Sequence, residues 1–296
     1  MSGTRGFGSM TVGRARGGLR FAIVALAVTA GVWAAAPTSA VAQSNHEGRC
    51  DWLAQVMLVG FNYPTVGTTD AHGQLENISS HDRLYSLLGN TFGGSPTMNT
   101  FGLPNLHGHA PDGLHYYLCT TGTFPSPGSE SGHCSWLGQV VLTSFAGAFN
   151  GAVAAHGELL DSSAYPNLFN LYGFTYGGSA ATMTFGVPNL RGKAPPGLSY
   201  RVCTSGPYPA QNSGTVGRCN WIGQVMLFGF DSLPYGTIPA DGQQLTISRH
   251  EALYSLYQST FGGNGTSTFA VPNLHGKALD GLHYRICTRG AYPARD

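Results

Sequence analysis

The chain has 296 residues; only 10% are charged, 43 are glycine and 42% are hydrophobic. Ordinary soluble domains carry roughly 25% charged residues and ~7% glycine, so this is a low-charge, turn-rich chain with enough apolar residue to exclude wholesale disorder. Glycine without a three-residue period excludes collagen, and a formal charge of +1 offers no basic footprint for nucleic acid.

Residues 1–42 carry Arg5, Arg14, Arg16 and Arg20 and no acid, then an apolar run from Phe21 to Ala36, then Pro37-Thr38-Ser39-Ala40-Val41-Ala42. A basic start, a short apolar run and an A-x-A ending read as a secretory signal cut after Ala42. A retained membrane helix is the alternative, but the run falls short of the ~20 apolar residues a span needs. Removing the segment takes four of 15 basic residues and none of the 14 acids, leaving 11 against 14, a mature charge of −3. The expected location is secreted or cell-surface, with the periplasm as a variant, and no membrane span after signal removal.

The remaining chain repeats itself. Cys50-Asp51-Trp52-Leu53-Ala54-Gln55-Val56 returns as Cys134-Ser135-Trp136-Leu137-Gly138-Gln139-Val140 and Cys219-Asn220-Trp221-Ile222-Gly223-Gln224-Val225. Cys119, Cys203 and Cys287 each open a closing phrase that ends in proline. An exported chain meets oxidising conditions, where disulfides form. Near-equal long gaps favour one bond per unit: Cys50–Cys119, Cys134–Cys203 and Cys219–Cys287. Links across the short gaps, Cys119–Cys134 and Cys203–Cys219, are the rival and would strand Cys50 and Cys287. No Cys-x-x-Cys pair points to metal. The expected units are 48–125, 132–209 and 217–293, three beads in a row, each large enough for its own core, with Ser/Gly/Pro-rich linkers at 126–132 and 210–217.

Within each unit the elements follow in one order. An apolar stretch after the tryptophan (Val56–Phe61, Val140–Phe145, Val225–Phe230) predicts a buried strand. A Gly/Pro-rich turn leads to Ala71-His72-Gly73, Ala155-His156-Gly157 or Ala240-Asp241-Gly242. A short helix follows. Unit 3 offers Ser248-Arg249-His250-Glu251 as a capping box, with Leu253, Leu256 and Tyr257 on one face. Unit 1 matches it with Leu84, Leu87 and Leu88, and unit 2 with Leu168 and Leu171, placing Pro166 in the first turn where a missing N–H costs least. Gly93-Gly94, Gly177-Gly178 and Gly262-Gly263 read as helix stops. A strand-like Thr-Phe phrase and a final strand into the last cysteine complete the unit. The fold class is α+β, mainly β and loop, with short strands, one short helix and one disulfide per unit.

These phrases carry a family resemblance. Ala240-Asp241-Gly242-Gln243-Gln244-Leu245, Ile247-Ser248, Ala252-Leu253-Tyr254-Ser255-Leu256, Thr260-Phe261-Gly262-Gly263 and Thr268-Phe269-Ala270-Val271-Pro272-Asn273-Leu274-His275-Gly276-Lys277 together resemble the phage tail collar domain. That family includes short tail fibres and bacterial proteins described as microcystin-dependent. The chain departs from it at His72 and His156, where the family writes Asp, and in its flanking cysteines and tryptophans. A single-chain array also differs from a fibre, in which several chains meet around an axis. The resemblance implies three tandem collar-like domains and a binding or assembly role rather than an enzyme.

Candidate sites are few. His107 and His109, at i and i+2, would point the same way on a strand, and zinc accepts imidazole. The resemblance adds that tail fibres can hold a metal through a His-x-His from each of several chains. Two ligands do not complete a tetrahedron, so zinc is the only cofactor to consider and solvated loop histidines are the plainer reading. Trp52, Trp136 and Trp221 weigh as sugar-stacking platforms against core packing, which their place beside a buried strand favours. Tyr116, Tyr117, Tyr200 and Tyr284 carry the same ambiguity. No G-x-S-x-G, H-E-x-x-H or P-loop phrase supports catalysis. The expected function is an exported, non-enzymatic surface or extracellular protein that binds a glycan or surface protein through variable loops such as 62–70. A subunit of an extracellular fibre or matrix, built by self-association, is the alternative.

Overall fold

Every unit is organised around a first strand that is mostly apolar and buried along its whole length. Residues 49–111, 113–126, 134–145, 149–209, 219–278 and 281–295 are described by the computed structural model. The expected signal and most of both linkers lie outside them. Unit 1 contains β1 (Gln55–Val59), β2 (Thr68–Asp70), β3 (Leu75–Asn77), α1 (Asp82–Leu88), β4 (Gly94–Ser95), β5 (Thr100–Gly102) and β6 (His115–Cys119). Unit 2 repeats it as β7 (Gln139–Thr143), β8 (Ala152–Ala154), β9 (Leu159–Asp161), α2 (Pro166–Tyr172), β10 (Gly178–Ser179), β11 (Thr184–Gly186) and β12 (Ser199–Cys203). Unit 3 has β13 (Gln224–Phe228), β14 (Thr237–Pro239), β15 (Gln244–Thr246), α3 (Glu251–Tyr257), β16 (Thr268–Ala270) and β17 (His283–Cys287).

The closing strand of each unit lies antiparallel between the first and second strands: β1–β6–β2, β7–β12–β8 and β13–β17–β14. A disulfide ties its end to the residue five before the first strand, as Cys50–Cys119, Cys134–Cys203 and Cys219–Cys287. A small side sheet, β3–β5–β4 or β9–β11–β10, or the pair β15–β16 in unit 3, carries the helix. The three helices bury residues one turn apart: Leu84 and Leu88, Leu168 and Tyr172, Leu253 and Tyr257.

Two local expectations are corrected. The capping box in unit 3 does not form. Ile247–Arg249 is a 3₁₀ turn that takes up Ser248, so Glu251 becomes the first helical residue instead of the third, and His250 caps with no side-chain bond. Nor do the Gly-Gly pairs end the helices. Gly89, Gly173 and Gln258 do, at φ 53°, 53° and 48°. Gly94 sits instead where the β4 backbone touches β5: a Cβ there would lie 2.3 Å from the Cα of Phe101. Pro166 does occupy the first turn of α2.

The larger correction concerns the arrangement of the units, which form a ring and not a row. The first strands pair with one another in one repeated register. Gln55 and Val56 face Thr143 and Leu142, Gln139 and Val140 face Phe228 and Leu227, and Gln224 and Val225 face Val59 and Leu58. The first half of each strand thus meets the second half of the next, three times, and the circuit closes. Three equal pairings of equivalent residues define a pseudo-threefold axis within one chain. The backbone repeats the rule just beyond the strands: Ser144 N–H donates to Ala54 O, Gly229 N–H to Gly138 O and Gly60 N–H to Gly223 O.

The cores explain why. No helix is buried against its own unit alone. Leu84, Leu88 and Phe101 of unit 1 pack with Leu142, Phe145 and Phe149 of unit 2. Leu168, Tyr172 and Phe185 of unit 2 pack with Leu227, Phe228 and Phe230 of unit 3. Leu253, Tyr257 and Phe269 of unit 3 return to Leu58 and Leu114 of unit 1. A strand buried on both faces needs more apolar cover than one short helix supplies, and the neighbouring unit provides it.

Candidate functional site

The seams of the ring are built from glycines and aromatics. Phe92 of unit 1 leans on Gly197 of unit 2, Tyr176 of unit 2 on Gly281 of unit 3, and Phe261 of unit 3 on Gly113 of unit 1. A Cβ at these glycines would lie 2.4, 2.9 and 2.6 Å from the ring. A second contact differs between seams. Tyr257 lies over Gly60 and donates its hydroxyl to Gly223 O at 2.9 Å, and Tyr172 lies over Gly229 and donates to Gly138 O at 3.0 Å. In the remaining seam the tyrosine is replaced by Leu88 and the glycine by Ser144, whose own hydroxyl donates to Ala54 O at 3.0 Å. Burial drives the Tyr172 and Tyr257 phenols far above their usual pKa.

The axis joins three equivalent but different residues. Asp51, Ser135 and Asn220 each follow the first cysteine of a unit, and all are buried. Ser135 presents its backbone N–H to Asp51 Oδ2 at 3.1 Å, and its Oγ lies 2.9–3.0 Å from both carboxylate oxygens and 2.8 Å from Asn220 Oδ1. Asn220 Nδ2 donates to Asp51 Oδ1 at 3.0 Å and to Arg49 O at 2.5 Å. Along the axis a cavity of about 40 Å³ is bounded by the first strands and by Tyr116, Tyr200 and Tyr284. Burial raises all three phenols, that of Tyr200 up to about 12, and the neighbouring tyrosines add to the shift at Tyr116 and Tyr200.

Units 1 and 3 each carry a cleft. The unit 1 cleft, about 540 Å³, is lined by Asn62, Asp70, His72, His107, His115 and Tyr117, among others. The unit 3 cleft, about 510 Å³, presents Asp231, Asp241, His275, His283 and Arg285 at corresponding places. The frame is shared: the segments after the first and second strands, the turn before the closing strand, and the closing strand itself. Burial and Arg285 lower the His283 pKa, and Asp231 opposes them.

The sequence-predicted residues fare unequally. Trp52, Trp136 and Trp221 are 1%, 0% and 2% exposed, so they are core residues and present no stacking face. His107 and His109 sit on a turn with Gly108 between them at φ 75°, so the strand argument for their pointing together does not apply. His107 instead meets His72, with ring centroids 5.4 Å apart. Among the described residues no group of three or more His, Cys, Asp or Glu side chains is arranged to hold a metal ion. The 62–70 loop is partly covered. Tyr63 Oη donates to Pro293 O at 3.0 Å, Val66 N–H to Ala294 O at 3.3 Å, and the Arg295 guanidinium stacks 4.5 Å from the Tyr63 ring centre. Sequence reading noted His72 only as a departure from the family pattern and did not bring it together with His115, or Asp231 with His283 and Arg285. Aligning the three units residue by residue was the signal available, since all five fall where the units differ in polar side chain.

The family description "Phage Tail Collar Domain" matches the chain at residues 54–111, 138–195 and 223–279, more than half its length. Each match ends before the closing strand, so the cysteines and that strand lie outside it. No curated protein and no solved structure matches the chain.

Proposed function

The chain belongs to the phage tail collar domain family, three times over, and from that premise we propose that it is an exported, non-enzymatic protein that binds a glycan on a surface or in the extracellular medium through the clefts of its ring. The family supplies tail-fibre-like structural modules, not catalysts. Three disulfides agree with an extracellular setting. Among the described residues no helix is long and apolar enough to cross a membrane.

One observation carries the binding reading. The same cleft occurs in units 1 and 3 on the same frame, keeping two histidines (His107 and His275, His115 and His283) while Asn62, His72 and Tyr117 of unit 1 give way to Asp231, Asp241 and Arg285 of unit 3. A constant scaffold with variable polar groups in a concave site is how recognition is usually built. Two clefts on one ring would add avidity on a repetitive surface. Assembly into a fibre through the collar seams is less well supported, because a head-to-tail interface that closes on itself does not propagate. In this chain all three seams are made internally.

A glycan array probed with the mature protein, together with light scattering, tests the reading. Binding by a monomer is the expected result. A protein that binds no glycan and sediments as long polymers would replace it with the fibre alternative.

A further inference from the structure

Position by position, the closing strands carry Tyr117, Arg201 and Arg285, of which Tyr117 and Arg285 line the unit 1 and unit 3 clefts. The two arginines are nearly buried, 5% and 7% exposed, and their charges are met differently. The Arg201 guanidinium stacks 5.6 and 5.3 Å from the ring centres of Phe145 and Phe149. Arg285 has no such rings. Its Nη2 donates to Asp231 O at 2.7 Å and to Asp231 Oδ1 at 3.1 Å, while its Nε is buried and makes no hydrogen bond. The Asp231 side chain is 89% exposed and stands 3.7 Å from His283 Nδ1.

This pairing is half made. Guanidinium and carboxylate reach full strength through two parallel bonds, one from each donor of the fork. Asp231 reaches only one donor, from a solvent-exposed position, and a buried donor left unmade is costly. A free carboxylate approaching from the cleft is not bound by the backbone of residue 231. It can take both Nε and Nη2 once Asp231 swings into solvent. His283 lines the same spot and supplies a further donor. Beyond it the cleft has an apolar floor, Ala240 and Leu274, and a polar rim, Asp241 and His275. That combination suits a pyranose ring, with C–H faces below and hydroxyls at the edge.

We propose that the unit 3 cleft binds a uronic-acid residue of an acidic glycan, its carboxylate displacing Asp231 from Arg285. The inference rests on the glycan reading above and narrows it to one cleft and one ligand class. Asp231 is then an internal stand-in for the ligand.

The test is calorimetric titration of the whole mature protein with galacturonic-acid oligomers, neutral galactose oligomers of equal length, and oligoglutamate. The galacturonate oligomers are expected to bind and the other two are not. Asp231→Ala removes the competitor from an exposed position and should tighten galacturonate binding about tenfold. Arg285→Lys keeps the charge but loses the fork and should weaken it about 10- to 100-fold. Because Arg285 is nearly buried, its variant counts only if its melting temperature is retained; Asp231→Ala decides the matter otherwise. Equal binding of galacturonate and galactose, or an unchanged Asp231→Ala affinity, overturns the carboxylate site and leaves the glycan reading standing. Tight oligoglutamate binding makes the ligand a peptide and overturns it as well. No binding of galacturonate in the titration overturns the carboxylate site, and only a further absence of binding to any glycan on the array removes the glycan reading itself.

Discussion

The seam between units 3 and 1 can be rebuilt as the seam between units 1 and 2, and the energetics of doing so test the ring directly. A Cβ at Gly60 would lie 2.3 Å from Tyr257 Cε1, so Gly60→Ser forces a fully buried ring to move. Overpacking of this kind costs about 1–3 kcal/mol. Tyr257→Leu removes a ring with no exposure and the 2.9 Å bond to Gly223 O. That carbonyl keeps the Gly60 N–H at 3.1 Å, so the loss is mainly cavity and one net hydrogen bond, about 2–4 kcal/mol. The double variant recreates the native pair of Ser144 and Leu88. The introduced serine side chain then has room, and its hydroxyl can reach Gly223 O as Ser144 Oγ reaches Ala54 O at 3.0 Å. The double variant should therefore be at least as stable as Tyr257→Leu alone, a favourable coupling of about 1–3 kcal/mol. Urea denaturation of the four proteins, with equal slopes, measures it. Costs that simply add would mean that Gly60 and Tyr257 do not meet and that the ring is wrongly closed.

Further outcomes follow from single positions. Gln258 holds φ 48° and ψ −133° where the other units use glycine, so Gln258→Gly should stabilise by about 1 kcal/mol; a lower melting temperature would contradict this strain. Ser135→Asp brings a second carboxylate against Asp51 and should cost about 4 kcal/mol at a spacing of 4 Å and an effective dielectric constant of 20. The new pair holds a proton more tightly when folded, so the loss should shrink as pH falls, and a pH-independent loss would contradict the axial contact. His283 titrates below its usual value, so the unfolded chain takes that proton first. Its contribution to stability is intact above about pH 6.5 and declines as pH falls toward the folded value; an NMR midpoint at or above the usual value would contradict the burial and the Arg285 contact. The raised phenols of Tyr172 and Tyr257 stabilise below about pH 10, and this is lost as pH rises toward their folded values. Phenolate absorbance should therefore rise in two stages, the second coinciding with unfolding, and a single stage would count against their burial.

The repeats, the strand after each tryptophan, the one-turn apolar pairs of the helices in units 1 and 3 and the pairing of Cys50 with Cys119 were all legible, because each depends on local spacing; in unit 2 the sequence pointed to Leu171 where the structure buries Tyr172. The ring was not. A five-residue strand such as Gln55–Val59, buried on both faces, announces that it needs cover but not whose. Leu58 reads the same whether it meets its own helix or α3. The partner was encoded only in departures between units: Ser144 against Gly60 and Gly229, Leu88 against Tyr172 and Tyr257. Each looks like neutral variation until the backbone brings the pair together. The cleft was obscured for a related reason. His283 and Arg285 lie on the closing strand, Asp231 follows the first and Asp241 the second, and only the β13–β17–β14 pairing makes them neighbours.

That the three units differ bears on why they share a chain. With identical copies around an axis, any axial residue meets two of itself. Three copies of Asp51 would crowd three carboxylates into one buried spot, and like charges that close cannot all ionise. Three copies of Ser135 or Asn220 would avoid the charge but give up the charge-assisted bonds to a carboxylate, which are roughly twice as strong as neutral ones. Aspartate, serine and asparagine together place one acceptor among donors, with Asn220 also reaching Arg49 O. The same holds at the seams, where two tyrosine–glycine contacts and the equivalent leucine and serine, Leu88 and Ser144, would be mismatched in another order. A fused chain fixes that order, so each position can specialise. It also frees the clefts from being copies of one another, which is the condition under which unit 3 can carry Arg285 with Asp231 while unit 1 carries Tyr117 and its histidines.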